Sequence, residues 1–179
     1  SKGVPRKNLR SVAGKPLLGH AVEVALDSKS LQRVIVSTDD HEIAEAAISY
    51  GAEVPFLRPV ELAQDHSPEL DAWQHALKFL ENEHHNPQID VFVSVPTTSP
   101  LRLSIDIDRC VDTLIQSQAD IVLTIKKTTR NPYFNMIERN SQGKWELCKR
   151  TSGEVNQRQS APEVFEITTV AYAARPAYI

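Results

Sequence analysis

Hydrophobic and polar positions follow two different periods along this chain. In "PLLGHAVEVALDS", Leu17, Leu18, Ala21, Val24 and Ala25 fall on one stripe, which predicts a helix with Pro16 in its first turn. "RVIVSTD" is a short β-branched run and predicts a strand buried on both faces. "DHEIAEAAISYG" returns to the helical period, with Asp40 as the expected cap and Gly51 as the stop. "AEVPFLRP" reads as extended chain ending at Pro59. "HSPELDAWQHALKFLENEHH" predicts a third helix, with Ser67 as its cap, Pro68 in its first turn and Trp73, Phe79 and Leu80 toward the core. "DVFVSVP" is a second buried strand, broken by "TTSPLR". A helix capped by Ser104 follows in "SIDIDRCVDTLIQSQ", then a third strand in "DIVLTIKK".

Strands separated by helix-length segments predict βαβ units: an α/β, doubly wound, mainly parallel sheet sandwiched by helices. From "TTRNPYF" to "RQSAP" the pattern changes, as Asn, Pro, Ser and Gly accumulate. Trp145–Lys149 reads as a hairpin strand, and Tyr133 and Phe134 are expected to pack locally. Residues 127–164 are therefore read as an arm inserted into a body made of 1–126 and 165–179. "VFEITTVAYAA" resumes the body as a strand, and "RPAYI" reads as the start of a helix. A doubly wound sheet begins with a strand, whereas this chain begins in what reads as the loop after one. A preceding strand and a following tail are expected outside these residues.

At 179 residues, one domain is the expected count. The two cysteines, Cys110 and Cys148, form no CxxC or Cys/His pattern, so idle thiols in a reducing, cytoplasmic compartment are expected. No apolar run approaches the about 18 residues of a membrane span, and the first residues do not read as a signal peptide. A pI near 6.1 argues against broad nucleic-acid binding.

Charge changes the picture at one place. The formal net charge is −3, yet Ser1–Lys15 carries Lys2, Arg6, Lys7, Arg10 and Lys15 and no carboxylate. Punctuated by Gly3 and Pro5 and leading into a helix, this stretch suits a small, highly charged anion. A solvated basic loop is the alternative, and no Walker A pattern is present. "TTSPLR" follows the carboxyl end of a strand, where open α/β sheets bind ligands. There Thr98 and Ser99 offer hydroxyls and Arg102 a cation; a plain Pro-rich turn is the alternative. Asp39 and Asp40 in "STDD" could suggest a metal site, but the helix-cap reading is preferred. His84 and His85 read as a solvated helix end.

"SKGVPRKNLRSVAGKPLLGHAV" resembles the N-terminal signature of the acylneuraminate cytidylyltransferases, or CMP-sialic acid synthetases. Further matches follow in order: "VIVSTDDHEIAEAAISYGAEV", "LRPVELAQDHSPELDA", "TSPLR", "NPYFNMIE" and "RQSAPEVFE", with Tyr172 beyond. The resemblance covers essentially the whole chain. It implies a Rossmann-like nucleotidyltransferase in which a nonulosonic acid attacks the α-phosphate of CTP, giving the CMP-sugar and pyrophosphate, with Mg²⁺ assisting. It places Ser1, Lys2, Gly3, Lys7, Asn8, Arg58, Ser67, Thr98 and Ser99 around the nucleotide. Lys7 is the expected catalytic cation, and Asn8 the reader of the cytosine edge. Thr97, Arg102, Arg158, Gln159, Thr168 and Thr169 fall on the sugar side, where Arg158 would grip the sugar carboxylate. The metal ligands are expected beyond Ile179, and the arm implies a homodimer.

Three departures matter, the first two of them for the sugar. Pro96 or Thr97 stands where members carry Gln, Thr168 and Thr169 replace an Asn-Gly, and the family's metal-binding Asp-x-Asp is expected beyond Ile179. A legionaminic- or pseudaminic-type acid is thus as credible as N-acetylneuraminate. The alternatives are another sugar or nucleotide, or an inactive binding homologue.

Overall fold

The computed structural model describes residues 3–64, 66–82, 88–151, 153 and 157–179. A short hairpin, β1 (Ser11–Val12) and β2 (Lys15–Pro16), leads into helices α1 (Leu17–Leu26), α2 (His41–Ser49) and α3 (Glu69–Glu81). Strand β3 (Phe92–Ser94), helix α4 (Ser104–Gln116) and strands β4 (Ile121–Lys127), β5 (Ile137–Arg139), β6 (Trp145–Leu147) and β7 (Phe165–Ala174) complete the order. The chain divides into two compact units, Ser1–Thr124 with Thr169–Ile179, and Ile125–Thr168.

In the first unit β7 lies between β3 and β4, and runs antiparallel to β3 with Phe92 opposite Ala174 and Ser94 opposite Tyr172. Successive side chains of a strand point to opposite faces, and here both faces are covered. Ala171 and Ala173 pack against Ile107, Cys110, Val111 and Leu114 of α4 and Ala25 of α1. Tyr172, between them, meets Trp73 of α3 at 6.2 Å between ring centroids, and Trp73 also meets Phe92 at 5.3 Å. Alanines on the α4 face let that helix sit close to the sheet. Helices therefore flank the sheet on both sides, as the alternating pattern predicts.

A second cluster, Leu18 and Val22 with Ala47 and Ala52, joins α1 to α2. A methyl on Gly19 would lie 2.7 Å from Tyr50 Cζ, which accounts for a glycine inside a helix. α2 begins as expected: the Asp40 carboxylate accepts from the backbone N–H groups of Glu42 and Ile43. It ends before Gly51, whose φ of +94° suits glycine.

Other helix starts differ from the expectation. Pro16 and Pro68 are the cap residues of α1 and α3 rather than first-turn residues. Ser67 does not cap α3, because its hydroxyl donates to the Glu61 carbonyl at 2.8 Å. Ser104 is the first residue of α4, whose cap is Leu103; the Asp106 carboxylate accepts from the Leu103 N–H at 2.9 Å. Phe79 stacks on Phe56 at 4.8 Å but stays exposed, while Ala72, Ala76 and Leu77 carry the buried stripe of α3. "RVIVSTD" forms a single parallel bridge, Ile35 to Glu53, and its apolar residues are half-buried. The Glu53 N–H donates to the Val34 carbonyl and the Glu53 carbonyl accepts from the Val36 N–H, while the Arg58 N–H donates to the Thr38 carbonyl, too few bonds for a ladder.

The far end of α4 is closed by Arg175, which donates to the carbonyls of Leu114, Ser117 and Ala119. Those carbonyls have no partner inside the helix, so a cation there is favourable. No helix among the described residues is long and apolar enough to cross a membrane.

The second unit contains the β5–β6 hairpin, in register Ile137–Leu147 and Arg139–Trp145. Its turn is held by Asn140 Oδ1, which accepts from the N–H groups of Gln142 and Lys144. Lys149 lies 5.9 Å above the Tyr133 ring, whereas Phe134 is exposed. Lys126 and Lys127 pair with Glu166 and Glu163. "RPAYI" closes the first unit as a 3-10 turn, Pro176–Tyr178.

Candidate active site

The basic N-terminal stretch folds onto α2. Lys7–Leu9 forms a 3-10 turn entered through Arg6, which sits at φ 53°, a left-handed conformation costly for a residue with a Cβ. The Arg6 guanidinium reaches the Asp40 carboxylate at 3.4 Å and also the Glu42 carboxylate. The hydrogen bond from the Ile43 N–H, aided by the Arg6 charge, holds the Asp40 carboxyl below its ordinary value of 3.8. Asp40 is therefore occupied by the helix cap and by Arg6. The two-residue loop of the β1–β2 hairpin, Ala13 and Gly14, has positive φ at both positions, as a primed hairpin turn demands. His20 of α1 is bonded through Nε2 to the Val12 carbonyl at 2.8 Å.

Pairing divides the cations of this stretch. Arg6 and Lys15 are matched by carboxylates, Lys15 by Glu23, while Arg10 donates from Nε only to the Pro5 carbonyl. Lys7, half-buried, makes no ion pair to a described residue. Its charge is available to something else. The expected nucleotide residues Ser1 and Lys2 lie outside the described residues, as do His84 and His85. Gly3 is exposed, and a Cβ there would touch nothing within 4 Å.

Six further expected residues are placed on or near this loop. Asn8 Oδ1 accepts a 2.8 Å hydrogen bond from the Thr97 hydroxyl, across 89 positions of sequence. This contact brings the basic loop to the segment that follows β3. Thr98 and Ser99 lie next in that segment, and their hydroxyls meet the Thr169 hydroxyl of β7 at 3.0 and 2.8 Å. Arg58 reaches the same region from the other side: its N–H donates to the Thr38 carbonyl at 2.8 Å, and its guanidinium lies 3.7 Å from Asp39. Polar contacts thus join Arg58 to Asp39 and Arg6 to Asp40 on one stretch, and Asn8 to Thr97 and Thr169 to Thr98 and Ser99 on the other, the two linked through the backbone from Arg6 to Asn8. This rim is rich in hydroxyls, and Lys7, adjacent in sequence to Asn8, pairs with no carboxylate among the described residues. Such a set can neutralise phosphate and read a polyol by donating and accepting.

Other expectations are placed elsewhere. Ser67 is engaged with Glu61. Arg102 does not offer its cation to the surface, because it is 5% exposed and donates from Nη2 to the carbonyls of Pro96 and Thr169. Burial pushes its pKa down to about 10, so it remains protonated at neutral pH. Arg158, Gln159 and Thr168 belong to the second unit; Arg158 and Gln159 are exposed, in the 3-10 turn Arg158–Ser160. The Arg6–Glu42 and Arg58–Asp39 pairs were missed by sequence reasoning. The acidic "STDDHE" set against an acid-free N-terminus was the signal for them. Among the described residues no three His, Cys, Asp or Glu side chains could hold a metal ion. With Asp40 committed to its cap and Asp39 beside Arg58, this donor set does not fit a divalent cation.

The family described as "Cytidylyltransferase" matches residues 1–173. The "Post-translational flagellin modification protein B" of Campylobacter coli is 36% identical over 96% of this chain and 72% of its own length. The "CMP-N,N'-diacetyllegionaminic acid synthase" of Campylobacter jejuni is 31% identical over 100% of this chain and 74% of its own. Among solved structures, a CMP:2-keto-3-deoxy-manno-octonic acid synthetase complexed with CTP superposes with a TM-score of 0.67 at 18% identity, covering 96% of this chain and 68% of that one. The superposition shows a shared α/β fold. With the family matched over nearly the full chain, this protein belongs to the cytidylyltransferases, a family of nucleotidyltransferases.

Proposed function

We propose that this chain transfers the cytidylyl group of CTP to a nonulosonic acid, forming the CMP-sugar and releasing pyrophosphate. The observation that carries the reading is the Asn8–Thr97 hydrogen bond, which holds the basic loop against the Thr98–Ser99 segment, beside a Lys7 that pairs with no carboxylate among the described residues. The sugar hydroxyl attacks the α-phosphorus, the bond to the bridging oxygen of pyrophosphate breaks, and negative charge grows on the phosphate oxygens. In this reading the Lys7 ammonium offsets that charge, and fixed groups around it supply most of the rate. Asn8 reads the cytosine edge, Arg58 lies on the nucleotide side, and Arg158 and Gln159 receive the sugar. A divalent cation accompanies the triphosphate in this proposal, with no step assigned to it.

The second unit is proposed to meet a second copy of the chain. Its surface exposes Ile125, Met136, Ile137, Trp145, Phe165 and Ile167, more apolar area than a solvated arm tolerates. A cytoplasmic setting fits the two unpaired cysteines.

The test is pyrophosphate release from CTP with N-acetylneuraminate, N,N'-diacetyllegionaminate and pseudaminate, and with UTP and GTP in place of CTP. Release with CTP and at least one of these sugars is expected. Silence on all three, or preference for another nucleotide, would overturn the reading.

A further inference from the structure

The segment after β3 and strand β7 are joined by more than their ladder. Arg102, buried and far along the same loop, places one nitrogen, Nη2, on the carbonyl of Pro96 and on that of Thr169, the latter at 2.9 Å. The Thr169 hydroxyl gathers those of Thr98 and Ser99 at 3.0 and 2.8 Å. Both walls of the hydroxyl-rich rim are thus fixed to each other from below by a cation and from above by a shared hydroxyl. Magnitudes separate the two parts. A hydrogen bond from a charged donor is roughly twice as strong as one between neutral groups. Arg102 sets the gap and Thr169 sets how the hydroxyls face.

Stability alone does not explain the arginine. Its Nε and Nη1 are buried without a partner among the described residues, a costly arrangement that an apolar side chain would avoid. What a guanidinium provides is one planar donor group spanning two backbone carbonyls on different elements.

We propose that Arg102 and Thr169 form a positioning latch that holds the Thr98 and Ser99 hydroxyls in fixed relation to Thr169, so that nucleotide and sugar acid meet in one reactive geometry. The inference rests on the functional reading above and assigns Arg102 no contact with either substrate. Displacing one wall by about 1 Å would misalign the attacking hydroxyl without removing a binding contact, and such misplacements can cost about 10²-fold in rate. The latch should therefore appear in kcat rather than in KM.

Three variants test it: Arg102→Lys, Thr169→Val and Thr169→Ser. Arg102→Lys and Thr169→Val are expected to lower kcat about 10–100-fold, with both KM values within about threefold; Tm should fall in Arg102→Lys, which loses the planar guanidinium, and stay nearly unchanged in Thr169→Val, and Thr169→Ser, which keeps the hydroxyl, should recover most of the loss. Amide hydrogen exchange over residues 97–102 should accelerate in Thr169→Val and not in Thr169→Ser, whatever the activity. Wild-type kcat in Thr169→Val, or Thr169→Ser no better than Thr169→Val, would overturn the latch, as would unchanged exchange. Should Arg102→Lys fail to fold, the two Thr169 variants decide alone. Wild-type silence on every sugar would instead overturn the functional reading, with exchange still deciding whether the latch exists.

Discussion

Charge at single residues separates the groups that hold this site from the group free to act in it. Arg6, Arg58 and Arg102 are tied to carboxylates or carbonyls, so they build the rim. Lys7 has no such tie among the described residues, and Asn8 is fixed by Thr97 through its oxygen. An amide held in that way presents its remaining groups in one orientation, which suits reading a base edge. Replacing Asn8 by Ala should raise KM for CTP about tenfold or more and narrow the preference for CTP over UTP, measured as a ratio of kcat/KM values. The residue types of this rim were legible in the sequence, because "SKGVPRKN" and "TSPLR" carry them. Their states were not. Nothing in "TSPLR" distinguishes an arginine that faces a ligand from one that is buried, since this depends on where the Thr169 carbonyl lies, 67 positions away.

Among the elements, two carboxylates do structural work that pH can expose. Asp108 of α4, buried, accepts from the Ser28 hydroxyl at 2.6 Å and from the N–H groups of Lys29 and Ser30, so it closes the turn after α1. The Ser28 hydrogen bond, more than any other cause, holds its carboxyl below the ordinary 3.8. A depressed carboxyl contributes stability that is fully present above the unfolded value and is lost as pH falls through the folded value. The sign is the same for Asp40. Asp108→Ala should destabilise the protein by about 2–3 kcal/mol at pH 7, by leaving three donors unpaired. Its Tm deficit relative to wild type should begin to shrink as pH falls below the ordinary 3.8, where the unfolded carboxyl takes up its proton, and should vanish only once pH has passed through the lower folded value; a deficit constant with pH would contradict the assignment. Asp40→Ala should cost about 1 kcal/mol through the lost cap, read from urea unfolding, and should also release Arg6. The start and stop of α2 were legible because cap and stop are local: Asp40 bonds residues two and three positions on. Ser67 and Ser104 satisfied the same local rule and failed it, since Glu61 captured one hydroxyl and Leu103 took the cap position ahead of the other.

For the whole molecule, the two-sided packing of β7 was written in the alternation of "TVAYAA", with Tyr172 toward α3 and the alanines toward α4. Strand pairing was less legible. Apolar runs reveal that a strand exists but not its neighbour, and the antiparallel match of β3 with β7 joins segments about half the chain apart. The exposed apolar surface of the second unit belongs to this scale as well. Trp145→Glu should convert a dimer to a monomer in sedimentation velocity without loss of helical signal. An unchanged sedimentation coefficient would remove that surface from the proposed interface.

The central claim is that the loop from Gly3 to Asn8 embraces a nucleoside triphosphate, with Lys7 stabilising charge in the transition state. Its most direct test is steady-state pyrophosphate release by Lys7→Ala at saturating CTP and sugar acid. A fall in kcat on the order of 10²–10³-fold is expected, with a folded protein of unchanged Tm. A kcat equal to that of the wild type would contradict it.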